Sequence, residues 1–338
     1  MSPLARVAAW ACAIACAVAS PVHAQGASGV REWKLSTALG PAYPQGKGGE
    51  LWAKLIGERS GGRFAVRHFP GTSLAQRDPA RELAALRNGT VDLAVGSASN
   101  WAPQVPELNV ISLPWLFPDL AALDRTLSGE VGTRLSKALE NAGVVPLAWA
   151  VDSFHELAAR RAIHTPADMN GLRVRIIASP LQTDTLLALG ALPAAMSPAD
   201  AQAALLQGTL DAEELTVAAL AATRSYTAGP KNLLLWGAHA DALVFAVSRA
   251  RWDGLADADR ELLRETARDA AAQAAAMARR QSEDAALAGL QREGVTVTRL
   301  TAAGKLPFRD RARAIYDRWA AVAGEDLVRT AEAAVGGR

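Results

Sequence analysis

Short β-like runs alternate with helical patterns along most of the chain, and this alternation limits the folds that the chain can adopt. The strand candidates are residues 33–37, 64–68, 91–95, 144–149, 172–177, 233–236, 242–247 and 295–300. Helical periods occupy the stretches between them. Such regular alternation is typical of α/β proteins, in which helices pack on a sheet.

Several helix starts are marked by capping residues. Thr165 and Ser197 are each followed by proline, alanine and aspartate. In this order the hydroxyl can cap the helix, the proline fits its first turn, and the carboxylate can return a hydrogen bond to the cap. Asp78, which precedes a proline, indicates a third helix start.

The longest helical pattern runs from Asp257 to about Leu290. Its apolar positions at helical spacing are Leu262, Leu263, Ala267, Ala270, Ala271, Ala274, Met277 and Ala278. Because most of them are alanines without a seam of Leu or Ile, the pattern favours close packing against a domain over an interaction coil or a low-complexity segment.

The chain shows no internal repeat and no linker rich in Gly, Pro or Ser. Its 338 residues exceed what one hydrophobic core usually serves, so two lobes are expected. Because no linker separates them, the lobes should be joined by more than one crossing of the chain. The long helix from Asp257 should bridge them.

Residues 1–24 have the pattern of a cleaved secretory signal. Arg6 is followed by an apolar run over residues 7–19 and by Ser-Pro-Val-His-Ala before Gln25. The run is shorter than the roughly 20 residues that span a bilayer, and no later stretch is long enough. We therefore expect an exported, periplasmic chain. The alternative is that Cys16 is a lipoprotein cysteine.

Cysteine usage and charge exclude several classes of protein. Both cysteines, Cys12 and Cys16, lie inside the signal, so the mature chain should have no disulfide, no thiolate nucleophile and no cysteine metal site. The charges are nearly balanced, with 36 Lys and Arg against 34 Asp and Glu. This balance argues against a nucleic-acid partner.

Familiar catalytic motifs are missing from the sequence. The Gly46-Lys47-Gly48-Gly49 run lacks the spacing of a phosphate or dinucleotide loop, and the serines after Gly96 lack the second glycine of a nucleophile elbow. The histidines beyond the signal show no metal-ligand spacing: His68, His155, His164 and His239. The sequence thus predicts no catalytic residue, no cofactor and no metal site, although a triad assembled in space would leave no motif.

A dense motif occupies residues 165–216, which read TPADMNGLRVRIIASPLQTDTLLALGALPAAMSPADAQAALLQGTLDAEELT. Its order is a proline-led turn, Gly-Leu, a strand with two arginines, a helix ending in Leu-Gly, a proline-methionine step and a helix ending in Gln-x-Gly-x-x-Asp. This order resembles the central signature of the solute receptors of tripartite ATP-independent periplasmic (TRAP) transporters, the DctP family. Further segments agree in order and spacing, at residues 61–63, 70–71, 88–92, 113–117, 238–239 and 252–255.

The resemblance covers nearly the whole mature chain and implies a two-lobed, periplasmic-binding-protein-like α/β fold with a ligand cleft between the lobes. Lobe 1 is predicted to comprise residues 25–151 and 241–280, and lobe 2 residues 152–240 and 281–338. The resemblance also implies a receptor, not an enzyme, that captures a small organic carboxylate and delivers it to the subunits of a TRAP-type membrane permease. A sensory receptor and an exported enzyme on the same fold are the alternatives.

Arg175 matches the position at which this family binds the ligand carboxylate. A guanidinium presents a planar fork to two carboxylate oxygens and keeps its charge at physiological pH. The strand pattern by itself, in which Arg173 and Arg175 alternate with apolar residues, favours a surface salt bridge. The resemblance favours ligand binding.

Two positions depart from the family pattern. Many members carry a second arginine after an aromatic residue where this chain has His155 after Phe154. Histidine is often uncharged near neutral pH, so His155 is either a hydrogen-bond partner of the ligand or a structural histidine. The family's asparagine is replaced by Leu215. Glu214, the residue before Leu215, is expected to support the site without contacting an anionic ligand, since like charges repel.

The remaining ligand-binding candidates lie in both lobes. The segment that contains Ser97 and Trp101 follows a strand and should face the cleft, since ligands in open α/β sheets bind beyond the carboxyl ends of strands. Ser97 is a hydrogen-bond candidate. Trp101 either covers the ligand or packs in the core. Tyr43 and Ser179 complete the set.

The two departures from the family pattern, His155 and Leu215, also predict which class of ligand the protein binds. A second carboxylate would need a second cation to offset its desolvation. With Arg175 as the anchor, the sequence favours a compact, partly apolar monocarboxylate over a dicarboxylate. Its body is expected between Phe154, Leu215 and Trp101.

Overall fold

The computed structural model describes residues 30–282 and 284–336, so the predicted signal segment and both cysteines lie outside the described residues. The strands are β1 (Arg31–Thr37), β2 (Phe64–Pro70), β3 (Leu93–Ser97), β4 (Val144–Ala159), β5 (Arg173–Ile176), β6 (Leu192–Ala195), β7 (Ala212–Leu215), β8 (Asn232–Ser248) and β9 (Thr296–Arg299). The helices are α1 (Pro44–Arg59), α2 (Glu82–Arg87), α3 (Ala98–Trp101), α4 (Asn109–Ser112), α5 (Leu120–Leu127), α6 (Glu130–Asn141), α7 (Pro180–Ala188), α8 (Pro198–Leu206), α9 (Val217–Thr223), α10 (Arg249–Asp253), α11 (Asp257–Ser282), α12 (Asp284–Arg292), α13 (Ala302–Arg311), α14 (Arg313–Ala323) and α15 (Glu325–Ala334).

All nine strands belong to one mixed sheet with the order β2-β1-β3-β8-β4-β7-β5-β6, and β9 pairs with β8. Lobe 1 is built on the parallel strands β1, β2 and β3, and lobe 2 on the parallel strands β5, β6 and β7. The antiparallel pair of β4 and β8 runs through both lobes, from Val144 opposite Ser248 to Ala159 opposite Asn232. The expected joining of the lobes by more than one crossing is confirmed.

The observed strands differ from the predicted ones mainly in this central pair. Strand β4 continues ten residues beyond its expected end at Trp149, and the two strands expected at 233–236 and 242–247 are the single strand β8. Polar residues interrupt the apolar pattern in both strands, at Asp152 and His155 in β4 and at His239 and Asp241 in β8. Because β4 and β8 pair with each other here, the main-chain ladder continues through the interruption.

The predicted caps are present. The Asp168 carboxylate accepts a hydrogen bond from the Thr165 amide at 2.8 Å, and the Ser197 hydroxyl accepts one from the Asp200 amide at 3.2 Å. Asp78 caps a short 3-10 turn that leads into α2, with the Ala80 amide at 3.0 Å. The Thr165 cap also starts only a 3-10 turn, Pro166–Met169.

The predicted long helical pattern is helical on both sides of residue 283, which lies outside the described residues: α11 runs to Ser282 and α12 begins at Asp284. Helix α11 packs along α1 and β4 of lobe 1 and also contacts α9 of lobe 2, as expected for a bridging helix. Its alanines lie in the core: Ala267, Ala270, Ala271 and Ala274 are at most 3% exposed. Small side chains therefore bring α11 close to the sheet.

The last helix joins the two lobes a further time. Helix α15, which the sequence assigned to lobe 2, packs against α4, α5 and α6 of lobe 1. Its apolar face, with Leu327, Val328 and Ala331, belongs to the hydrophobic core of that lobe. The exact lobe boundaries stay a prediction.

None of the helices in the described residues has the length and apolar character needed to cross a membrane.

Candidate ligand-binding site

The carboxyl ends of the parallel strands from both lobes converge on the middle of the β4–β8 pair. Strand β3 ends at Ser97 opposite Leu243 of β8, and β7 ends at Leu215 opposite Glu156 of β4. At this point β4 has register shifts on both sides of His155, which pairs with His239. These irregularities turn polar side chains of the central strands toward the junction of the lobes.

The two arginines of β5 have different environments. Arg173 is partly exposed and forms a bidentate pair with Asp211, with Nε to Oδ2 at 2.7 Å and Nη2 to Oδ1 at 2.6 Å. Arg175 is 8% exposed, and its Nε donates to the carbonyl of Met196 at 3.1 Å. Within residues 30–282 and 284–336, neither Nη atom of Arg175 has a hydrogen-bond or ion-pair partner. The salt bridge that the strand pattern favoured forms at Arg173 instead.

Two glutamates of β7 lie near Arg175. Burial lowers the pKa of Arg175, and the charges of Glu213 and Glu214 oppose that shift. Burial also raises the pKa of Glu213, while hydrogen bonding from Ser225 and the charge of Arg175 act the other way. The guanidinium is thus held in a poorly solvated place with its fork unoccupied by protein carboxylates.

His155 is buried and its Nδ1 atom has no hydrogen-bond partner in the described part of the chain. Burial lowers its pKa, and the negative charges of Glu214 and Asp241 only partly offset this effect. The imidazole is therefore neutral near pH 7, as the sequence suggested for this position.

Glu214 and His239 form a fully buried pair. The distance from His239 Nδ1 to Glu214 Oε1 is 2.6 Å. The second atom of each group, Glu214 Oε2 and His239 Nε2, has no partner among the described residues. Gln182 in α7 is likewise fully buried, and neither its amide nitrogen nor its amide oxygen has a partner there. Buried polar groups without a partner are rare in proteins.

Asp241 is the acidic residue of this region that the sequence did not reveal. Its carboxylate accepts hydrogen bonds from Ser97 Oγ at 2.5 Å, from the Ser99 amide at 3.1 Å and from the Ala242 amide at 2.8 Å. Burial, together with the charge of Asp241, raises the pKa of Asp152 to about 7. Ser97 is thus tied to β8, and its hydroxyl oxygen also accepts from the Asn100 amide.

The other predicted site residues are more scattered. Phe154 is half-buried on β4 beside Gly237, and Ser179 caps α7 through the Gln182 amide at 3.3 Å. Tyr43 precedes α1, and burial raises its pKa. No hydrogen bond between described residues links Tyr43, Phe154 or Ser179 to Arg175.

Trp101 and Leu215 both lie in hydrophobic cores. Helix α3 starts directly after β3, so Trp101 folds back over that strand, where a Cβ on Gly96 would lie 2.0 Å from the indole ring. Leu215 packs with Leu220 and Tyr226 in a separate hydrophobic cluster. The structure does not bring these two side chains together, so their predicted contact with a ligand stays a prediction.

No metal centre is formed by the residues that the structure describes. Among the described residues, no group of three or more His, Cys, Asp or Glu is placed to hold a metal ion.

The chain is similar to known solute-binding proteins in sequence and in fold. The model of the family described as bacterial extracellular solute-binding protein, family 7 (DctP), matches residues 35–322. A solved TRAP periplasmic solute-binding protein from Ralstonia eutropha H16, with bound (S)-2-hydroxy-2-methyl-3-oxobutanoate ((S)-2-acetolactate), is 45% identical with a TM-score of 0.88. The match covers 91% of this chain and 99% of that chain.

Two sequence relatives are more distant. The 2,3-diketo-L-gulonate-binding periplasmic protein YiaO of Escherichia coli K12 is 29% identical over 217 residues, which are 64% of this chain and 65% of that protein. A solute-binding protein of Verminephrobacter eiseniae is 30% identical over 258 residues, 75% of each chain. The chain thus spans just under two thirds of the E. coli relative.

Proposed function

Because the chain belongs to the DctP family of bacterial extracellular solute-binding proteins, we propose that it captures a small organic carboxylate between its two lobes and delivers it to a TRAP-type membrane permease. The family is one of solute receptors. We further propose that the chain is exported to the periplasm by the signal in residues 1–24.

The observation that carries this proposal is the free fork of Arg175. Its two Nη atoms have no partner among the described residues, although the side chain is buried. A carboxylate can accept two parallel hydrogen bonds from such a guanidinium and neutralise its charge. Arg173, two residues earlier, already has that arrangement with Asp211, so β5 offers a single unoccupied carboxylate anchor.

The groups around the anchor favour one carboxylate over two. His155 is neutral near pH 7, and the acidic side chains of Glu214 and Asp241 lie near it, so a second anionic group would meet repulsion. Hydroxyl groups of a ligand could instead donate to these acids. We therefore propose a compact monocarboxylate that carries a hydroxyl or oxo group. The acetolactate bound to the R. eutropha protein belongs to this chemical class.

A matched pair of ligands tests the proposed class. 2-Hydroxybutanoate and malate have the same four-carbon skeleton and hydroxyl, but malate has a second carboxylate in place of the methyl group. We expect titration calorimetry at pH 7.5 to show tighter binding of 2-hydroxybutanoate and of acetolactate than of malate. Malate binding tenfold tighter than 2-hydroxybutanoate would contradict the assignment.

The same samples test receptor against enzyme. After incubation with acetolactate, mass spectrometry should recover the ligand unchanged and at one equivalent per chain. Conversion of the ligand to another compound by the pure protein would rule out a simple receptor.

A further inference from the structure

A cavity of about 470 Å³ lies between the lobes at α13, and none of its lining residues belongs to the candidate ligand-binding site. Its lining includes Leu116, Phe117, Leu300, Lys305, Arg309 and Val335. We call it the α13 cavity. Its size is within the range of cavities that hold small organic ligands.

The floor of the α13 cavity is apolar and comes from both lobes. Leu116 and Phe117 belong to the core of lobe 1, whereas Trp115 belongs to the core of lobe 2. The Trp115 amide donates to the Ala238 carbonyl at 2.8 Å, and its indole Nε1 donates to the Trp236 carbonyl at 3.1 Å. The segment therefore crosses from one lobe to the other along the floor.

The backbone at Trp115 is strained. Its φ of 53° lies in the left-handed region, which a bulky residue rarely adopts. The two hydrogen bonds to β8 hold the residue in this conformation. Strain of this kind is concentrated at binding sites, where a side chain must be held in a particular place.

Two cationic side chains of α13 line the cavity above this floor. Lys305 and Arg309 are four residues apart on the helix, so both project from one face. Both are half-buried. In the described part of the chain, neither Lys305 Nζ nor the Arg309 guanidinium has a hydrogen-bond or ion-pair partner.

The charge balance around Lys305 is unfavourable. Burial lowers its pKa, and the charges of Arg299 and Arg309 add to the shift, against the attraction of Glu156. Glu156 accepts hydrogen bonds from the Trp236 amide at 2.8 Å and the Gly237 amide at 3.0 Å. Burial raises the pKa of Glu156 to about 7, so it compensates the cations only in part. An anion in the cavity would relieve this repulsion.

We propose that the α13 cavity is a second binding site, for an organic carboxylate with an apolar body. The carboxylate lies between Lys305 and Arg309, and the body packs on Trp115 and Phe117. The apolar floor disfavours a bare inorganic anion, which would lose hydration there without gaining contacts. Because both lobes form the cavity, an occupant stabilises the arrangement of lobes in which the cavity exists.

Fluorine NMR with 4-fluorobenzoate as the probe tests this site. The measurement uses the Arg175→Ala protein, so that the proposed cleft anchor contributes nothing. We expect saturable binding that Lys305→Gln together with Arg309→Gln weakens at least tenfold. The matched control, Lys54→Gln with Arg59→Gln, removes the same charge from exposed positions of α1 and should leave the affinity unchanged.

Two results would overturn the proposal. One is the absence of saturable 4-fluorobenzoate binding to folded Arg175→Ala protein. The other is equal affinity in the α13 variant and the α1 control, with circular dichroism showing both to be folded. The cleft ligand is absent from this experiment, so its outcome does not depend on the proposed transport function.

Discussion

Arg173 and Arg175 lie on the same face of β5, and their surroundings determine what each can bind. Arg173 lies near the exposed start of the strand, where Asp211 occupies its fork. Arg175 lies two residues further along the strand and is buried. Its neighbours Glu213 and Glu214 do not occupy its fork. The same side chain thus serves a structural salt bridge at one position and remains available to a ligand at the other.

Replacing Arg175 should remove most of the affinity for a carboxylate. A hydrogen bond to a charged group contributes about 1.5–3 kcal/mol, which corresponds to roughly 10- to 150-fold in affinity. We expect this loss in calorimetry for Arg175→Ala. Arg175→Lys should recover only part of it, because an ammonium lacks the planar fork. Arg173→Ala is the control and should bind normally. Wild-type affinity in Arg175→Ala protein would exclude the anchor.

The sequence pointed to Arg175, His155 and Glu214 as site residues, but not to Asp241 and His239. Arg175 lies in a dense local motif, whereas Asp241 and His239 lie in the gap between two predicted strands. A polar gap reads as a turn when only local pattern is available. These residues are buried in a strand because β3 and β4 flank β8 and because three donors satisfy the Asp241 carboxylate. Those contacts are distant in sequence and leave no local pattern.

At the level of elements, helices α1 and α11 pack closely because Gly48 of α1 has no side chain. A Cβ on Gly48 would lie 2.9 Å from the ring of Phe245 and 3.1 Å from the Cβ of Ala274. The indole of Trp52 donates to Thr266 Oγ1 of α11 at 3.2 Å, which fixes the register of the two helices. The alanine-rich pattern of α11 predicted close packing against a domain, but it did not identify α1 as the element that α11 packs on.

Two glycines of α1 should respond in opposite ways to alanine. Gly48→Ala overpacks the contact with α11 and should lower the free energy of unfolding by about 1–3 kcal/mol. At Gly57 the nearest atom to an added Cβ is 3.7 Å away, an ordinary contact. Gly57→Ala should therefore raise the free energy of unfolding by about 0.4–1 kcal/mol, by restricting the unfolded chain. Urea unfolding measures both. Equal effects of the two changes would refute the packing argument.

Strand β7 shows where element prediction failed. Strand β7 reads Ala-Glu-Glu-Leu, and adjacent glutamates are depleted in strands. Both are nevertheless buried, because β7 lies between β4 and β5 and because Ser225 and His239 provide partners for the two carboxyl groups. Tertiary pairing overrides local preference at this strand, which carries part of the candidate site.

For the whole molecule, alternation predicted the α/β class, while the order of the strands depends on long-range pairing. Strands β4 and β8 are neighbours in the sheet although about 90 residues separate them, and β3 pairs with β8 from a still greater distance. The packing of α15 on lobe 1 is equally non-local. Such contacts make both lobes parts of one sheet, so global unfolding should respond to buried groups in either of them.

Three buried or partly buried acids couple this global stability to pH. Burial raises the pKa of Glu82, Asp152 and Glu156 to about 7 each. In the unfolded chain these groups lose their protons near pH 4 to 4.5. Between those values the folded state holds protons that the unfolded state has released. The free energy of unfolding therefore falls as pH rises through this window.

Glu82 allows the effect to be measured, because it is 1% exposed and accepts a hydrogen bond from the Ser36 hydroxyl at 2.7 Å. The Glu82→Gln substitution keeps the shape of the side chain but removes its titratable carboxyl group. Between pH 4.5 and 7.5 the wild type should lose on the order of 3 kcal/mol relative to this variant, since each pKa unit is worth about 1.4 kcal/mol. Urea unfolding of ligand-free protein across that range measures the difference, with exposed Glu58→Gln as the control. Comparing each variant with the wild type cancels the opposite contribution of partly buried His68 and buried His155, whose lowered pKa values favour folding as pH rises. Parallel stability profiles for wild type and Glu82→Gln would show that the buried carboxyl is ionised in both states.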